Sequence, residues 1–186
     1  MKTIQSIFLT AICLTMTLYS HAQKNYVLDS KSTFTVSGTS TLHDWEMKST
    51  SGTGTANIAV NDSKVTEINN LTITLLAESI KSEKNSMDKV AYEALNTKTY
   101  KNIKYTLKTA EKVNETTWNL TGTYTIAGAS KEYRTQVKTS FSNGFVTLLG
   151  TQKITFTDFG MKAPKALLGT IKTGNDLTLN FNIQLK

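Results

Sequence analysis

The chain has 186 residues, with 21 Lys+Arg against 14 Asp+Glu for a net charge of +7, one cysteine and two histidines. One cysteine excludes an internal disulfide, and scattered lysines without an arginine-rich, aromatic-interleaved patch exclude nucleic acid as the natural partner. The lysines mostly alternate with Thr or Asn, which reads as the outward face of strands. A second reading is transient attraction to an anionic membrane surface or to a phosphate-bearing ligand.

Residues 1–22 read as a cleavable signal peptide. Lys2 supplies a positive start, "IFLTAICLTMTLY" is uncharged and apolar, and "SHA" ends in the small residues Ser20 and Ala22. The expected cut lies between Ala22 and Gln23. The apolar run is shorter than the ~20 residues a transmembrane helix needs. Cys13 sits early in that run behind Ile12, a poor context for lipidation. The expectation is a single periplasmic or secreted domain over residues 23–186, without a transmembrane segment and held together by packing alone.

In chain order, "GTSTLHDWE" (38–46) places His43 beside Asp44 and Trp45. A zinc site wants three or four ligands, and His43 is the only histidine beyond the leader. A Ser-His-Asp triad wants a serine on a strained elbow, and no G-x-S-x-G occurs. The leading reading is therefore a turn whose Ser, Thr and Asp44 side chains bond local backbone. Trp45 anchors a strand or rims an opening, and His43 and Trp45 are candidates for a headgroup contact.

"NLTITLLA" alternates with Leu71, Ile73 and Leu75 on one face. "NSMDKVAYEALN" (85–96) changes period: Met87, Val90, Ala91, Ala94 and Leu95 recur at helical spacing, with Ser86 as N-cap and Asn96 as a left-handed stop. A short amphipathic helix over the end of a sheet is expected. "NIKYTLKTA" returns to period two with Ile103, Tyr105 and Leu107. "WNLTGTYTI" sets Trp118, Leu120, Gly122, Tyr124 and Ile126 against Asn119 and three threonines. "DLTLNFNIQLK" sets Leu177, Leu179, Phe181, Ile183 and Leu185 against polar partners. Turn chemistry falls at 60–64, 111–116, 127–131, 142–144 and 172–176. "TDFG" (157–160) matches the kinase metal-binding triplet only by chance, because no glycine-rich or catalytic loop accompanies it; it reads as a turn or bulge. "APKALLGT" (163–170) is either a loop packed on the end of the sheet or a mobile lip.

Strands with one wet and one dry face belong to antiparallel sheets. About eight or more of them, with one helix, must cover a continuous dry face. The fold class expected is all-β: an antiparallel, lipocalin-like extended β-barrel, whose interior holds side chains or one slim ligand. Phe34, Val36, Trp118, Tyr124, Ile126, Phe156, Leu179 and Phe181 fall on the inferred inner faces. Each is either core or cavity lining.

Four blocks in order resemble the YceI-like family of exported, lipid- or polyisoprenoid-associated bacterial barrels. They are "YVLDSKSTFTVSGTSTLHDWE", "LTITLLAESIKSEKNSMDKVAYEALNTKTYKNIKYTL", "WNLTGTYTIAGASKEYRTQV" and "TFTDFGMKAPKALLGTIKTGNDLTLNFNIQL". The chain departs where better-known members carry a longer apolar-basic segment after the second strand; here "GTSTLHDWE" stands in its place. The resemblance implies a barrel that holds a long apolar chain, without catalytic residues, metal or cofactor. The reading that follows is an exported carrier of a polyisoprenoid, quinone-like or fatty chain. The alternative is a filled barrel acting as an envelope or stress-associated interaction module, and the weakest is an enzyme on a lipid-like substrate using His43. Both a monomer and a dimer fit the sequence.

Overall fold

A computed structural model of the protein describes residues 23–186. The leader reading of 1–22 lies outside the described residues. Eleven strands and one α-helix follow in order: β1 Gln23–Val27, β2 Thr33–Ser40, β3 Trp45–Ser49, β4 Thr53–Asn61, β5 Lys64–Leu76, α1 Asn85–Leu95, β6 Asn102–Lys112, β7 Thr117–Ile126, β8 Ala129–Ser142, β9 Phe145–Thr155, β10 Lys165–Ala166 and β11 Ile171–Leu185. The sheet runs β1-β4-β5-β6-β7-β8-β9-β11-β2-β3, with β10 beside β11. Every pairing is antiparallel.

Two short seams curl this sheet into a barrel. Val27 and Lys186 exchange backbone hydrogen bonds of 2.9 Å in both directions, tying the end of β1 to the end of β11. At the other edge, Lys48 N–H donates to Lys81 O at 2.7 Å and Lys81 N–H returns to Lys48 O at 2.9 Å. The sheet edges are thus closed by single bridges, not by a full ladder. Three tight hairpins have both central residues at positive φ: Asp62-Ser63, Ala127-Gly128 and Asn143-Gly144. This turn geometry matches the twist of paired strands.

Alternation decides which side chains enter. Along β7 the inward set Trp118, Leu120, Gly122, Tyr124 and Ile126 is buried at every position. The interior divides along the barrel axis. One half packs Tyr26, Ile58, Val65, Ile68, Trp118, Val146 and Leu185 into a continuous core. The other half gathers Tyr124, Ile126, Ile154, Phe156, Phe159, Met161 and Leu177 around its wall. Between them, Gly122 and Gly150 face inward. A Cβ at Gly122 would collide with the Tyr105 ring, and one at Gly150 with the Phe181 ring. Those two aromatics lie flat over their neighbouring strands only because the glycines leave room.

Two local expectations need correction. The helix begins at Asn85, with Lys84 in the cap position and no side-chain cap. Ser86 is therefore one residue inside the helix, and its hydroxyl makes no cap bond. Asn96 does end the helix in the left-handed region, at φ 49° and ψ 53°. Residues 172–176 are not a turn. They lie within β11, where a register shift between Thr173 and Leu177 absorbs the irregular residues. Gly174 lets this bulge approach Thr39, and Asn175 is used to hold Phe156 and Thr157.

Candidate functional site: an apolar cavity open at one end

The half of the barrel away from the packed core is hollow. A cavity of about 700 Å³ opens there, within the roughly 300–1,000 Å³ typical of small-ligand sites. Its walls come from inward positions of β2, β5, β6, β7, β9 and β11. Its floor reaches Leu120, Val137, Leu148 and Ile183. Its mouth is framed by the β2–β3 turn, by α1 and by the β10–β11 hairpin.

Of the inferred inner residues, Phe34, Val36, Tyr124, Ile126, Phe156, Leu179 and Phe181 line this cavity, and His43 and Trp45 stand at its mouth. Trp118 does not line it. That residue is on the inward face, but deep in the filled half, only 4% exposed among the core side chains. Tyr105, Met47, Leu177 and the helix stripe also line the cavity without having been singled out. Tyr105 and Leu177 carry the same alternation signal as the chosen residues. Met47 lies on a five-residue strand too short for the pattern to show.

Helix α1 covers one side of the mouth. Met87, Val90, Ala91, Ala94 and Leu95 form its apolar stripe and all face the cavity. In a packed protein such a stripe is buried; here each of these side chains is only half-buried. Polar contacts at both ends hold the helix instead. Asp88, near its start, is 5% exposed and accepts hydrogen bonds from Ser82 N–H at 2.6 Å and Ser82 Oγ–H at 2.8 Å. Tyr92 Oη donates to Glu78 O at 2.9 Å, and Thr97 Oγ1 donates to Glu78 Oε1 at 2.7 Å. The "KSEKNSMD" stretch thus positions a wall of the cavity.

The His-Asp-Trp turn is built by its neighbours. Ser40 Oγ accepts from the backbone N–H of Leu42 and His43 and donates to His43 O at 2.7 Å. His43 Nδ1 donates to Asp44 O at 2.6 Å. Trp45 Nε1 donates to Thr39 O at 3.1 Å, and its ring lies across Gly38 of the facing strand. The local-backbone role assigned to this turn holds, with Ser40 rather than the Asp44 carboxylate as its hub. Among the described residues, no group of three His, Cys, Asp or Glu side chains converges.

Polar groups in the wall are few. Tyr124 Oη meets Thr135 Oγ1 at 3.2 Å, and Thr135 Oγ1 donates to Gln152 Oε1 at 2.6 Å. Tyr105 packs edge-on against Tyr124 with ring centroids 4.9 Å apart, and its hydroxyl is buried without a partner. Burial pushes the Tyr105 and Tyr124 hydroxyls above the usual phenol range, so both are neutral donors. The charged lining residues are Lys84, Lys104 and Lys165, and among the described residues no carboxylate lines the cavity.

A family model, that of the YceI-like domain, matches residues 26–185. The chain belongs to the YceI-like family. Solved structures agree on the fold of this YceI-like protein. It resembles BcnA from Burkholderia cenocepacia with a TM-score of 0.70 and 13% identity, over 84% of this chain and 98% of that one. A polyisoprenoid binding domain from Saccharophagus degradans, implicated in plant cell wall breakdown, follows at 0.67 and 11%, over 87% and 97%. The YceI protein of Campylobacter jejuni gives 0.56 and 22%, over 72% and 82%. A search of curated proteins finds no match. The TDFG residues form a single 3-10 turn closed by left-handed Gly160, as a turn reading requires.

Proposed function

We propose that this YceI-like protein is an exported carrier for one long apolar chain, a polyisoprenoid, quinone-like or fatty lipid. The observation that carries the reading is the hollow half-barrel, with an apolar wall and a mouth framed by the β2–β3 turn, α1 and the β10–β11 hairpin. Membership of a family with lipid- and isoprenoid-binding associations supports it, as does the fold shared with the Saccharophagus polyisoprenoid binding domain. Residues 23–186 act as one domain, delivered by the 1–22 leader to the periplasm or beyond.

The mechanism is desolvation. Each methylene moved from water into the cavity contributes roughly 0.8 kcal/mol. A chain with more than about ten buried carbons offsets the several kcal/mol lost on association. Phe34, Val36, Tyr124, Ile126, Phe156, Leu179 and Phe181 hold the tail, and His43 and Trp45 meet its polar end. With lysines and no carboxylates in the lining, that end is neutral or anionic and not a cation. On this reading the protein works by binding and not by catalysis; His43 Nδ1 helps hold its own turn by donating to Asp44 O. The filled-barrel alternative loses its premise where the interior is hollow.

Native mass spectrometry of freshly purified protein, followed by solvent extraction, tests the carrier. A stoichiometric apolar ligand is expected. A clean unliganded mass, unchanged after incubation with prenyl and fatty chains, overturns it.

A further inference from the structure

The mouth of the cavity carries a feature that ligand binding does not require. Leu42, Leu167 and Leu168 point into solvent with relative exposures of 64%, 71% and 109%. Leu167 and Leu168 form the tip of the β10–β11 hairpin, and both hold left-handed backbone, at φ 48° and 55°. Leucine adopts this region only at an energetic cost. The strain therefore presents two adjacent apolar side chains to water; Leu167, like Leu42, borders the cavity mouth, whereas Leu168 takes no part in its lining. Local strain of this kind collects at functional surfaces.

The charge around the tip has one sign. Lys165 and Lys172 are direct cross-strand partners, an arrangement of like charges that destabilises a free hairpin. Lys162 lies just upstream, and the sequence has no Asp or Glu between Asp158 and Asp176. The tip and the β2–β3 turn form one rim. Thr41 N–H donates to Lys172 O at 3.0 Å, Lys172 N–H donates to Thr41 Oγ1 at 3.1 Å, and Thr173 N–H donates to Pro164 O at 3.1 Å. Leu42 is the next residue along that turn; the acid nearest to it in the sequence is the exposed Asp44.

We propose that this rim docks the protein on an anionic lipid bilayer. Leu42, Leu167 and Leu168 enter the boundary between headgroups and acyl chains, and Lys162, Lys165 and Lys172 take anionic headgroups. Docked in this way, the cavity mouth faces the membrane, and a chain passes between bilayer and barrel without crossing water. Charge complementarity selects the occupant: a second copy of the chain would set the same lysines against each other.

The test is flotation of the purified protein with vesicles of phosphatidylcholine alone and of phosphatidylcholine with phosphatidylglycerol. Binding to the mixed vesicles, weakened by salt, is expected. Leu167→Asp with Leu168→Asp lowers partitioning by roughly tenfold or more, and Lys165→Glu with Lys172→Glu removes the preference for the anionic vesicles. All four positions are on the surface, and circular dichroism confirms that each variant folds. Wild-type protein that stays in the aqueous phase with both vesicle types overturns the proposal. So does a dimer, seen by sedimentation velocity, that the leucine variants dissociate. Native mass spectrometry on the same samples reads cavity loading separately. Docking without cargo sinks the carrier reading alone, and cargo without docking sinks this one alone.

Discussion

The two halves of this barrel are made by the same strands, yet they differ in kind. Along β7, Trp118 belongs to a close-packed core, Leu120 forms part of the floor above it, and Tyr124 and Ile126, a few residues on, line a hollow. Along β11 the order is reversed, from Leu177 in the hollow to Leu185 in the core. The difference teaches that stability and binding are assigned to opposite ends of each strand. The closed end carries the fold, and the open end carries an unfilled surface held in place by it.

The largest effect that would sharpen this division is a truncation in the closed end. Ile58 is fully buried and does not line the cavity. Ile58→Ala should destabilise the lipid-free protein by roughly 2–5 kcal/mol. Leu179→Ala, facing the hollow, should cost well under half as much, because its side chain already lacks neighbours on one side. Guanidinium unfolding measures both, and equal losses would break the comparison. Enlargement should separate the halves next. Ala56, 3% exposed in the packed half, has no room, so Ala56→Leu should cost about 1–3 kcal/mol. Ala94→Leu, on the helix stripe, should be tolerated while reducing the lipid recovered by extraction.

At the waist the effect should turn favourable. The Tyr105 hydroxyl is buried without a partner, and an unsatisfied buried polar group costs about 1–3 kcal/mol. Tyr105→Phe should therefore raise the melting temperature of lipid-free protein; a fall would show that the hydroxyl has a partner after all. The smallest effect concerns Asp158 on the outer flank. Tyr133 Oη donates to it at 2.7 Å, and Thr155 donates from both N–H and Oγ1. These bonds lower its carboxyl from 3.8 to about 2. The folded value lies below the unfolded one, so this contribution is present above 3.8 and is lost as pH falls towards 2. Tyr133→Phe should lower the melting temperature slightly at neutral pH and leave it near wild type at about pH 2, flattening the decline across that window.

Much of this was legible in the sequence. Period-two alternation identified the inward residues of β7 and β11, and the 3.6-residue pattern identified the stripe of α1. The family blocks pointed to a lipocalin-like barrel. What alternation does not encode is depth along the barrel axis. It assigns Trp118 and Tyr124 to one face equally, and their separation into core and cavity depends on which end of the barrel closes. Ser82 and Asp88 stand within the second family block, but their clamp is not legible there, because their bond joins a loop to the side of a helix. The 172–176 segment has the composition of a turn and lies in a strand because a bulge spreads its irregularity over several residues. Ser86 looked like a cap because hydroxyls favour that position, whereas the cap here is Lys84, two residues earlier.

The half-buried stripe of α1 has a thermodynamic consequence. Its five apolar side chains are a core layer that lacks its second side. A lipid that completes this layer becomes part of the folded state, and the unfolded chain has no equivalent site. Stability then rises with the logarithm of free lipid concentration, at about 1.4 kcal/mol for each tenfold increase above the dissociation constant. The melting temperature of the barrel would serve as a gauge of how much cargo its surroundings supply.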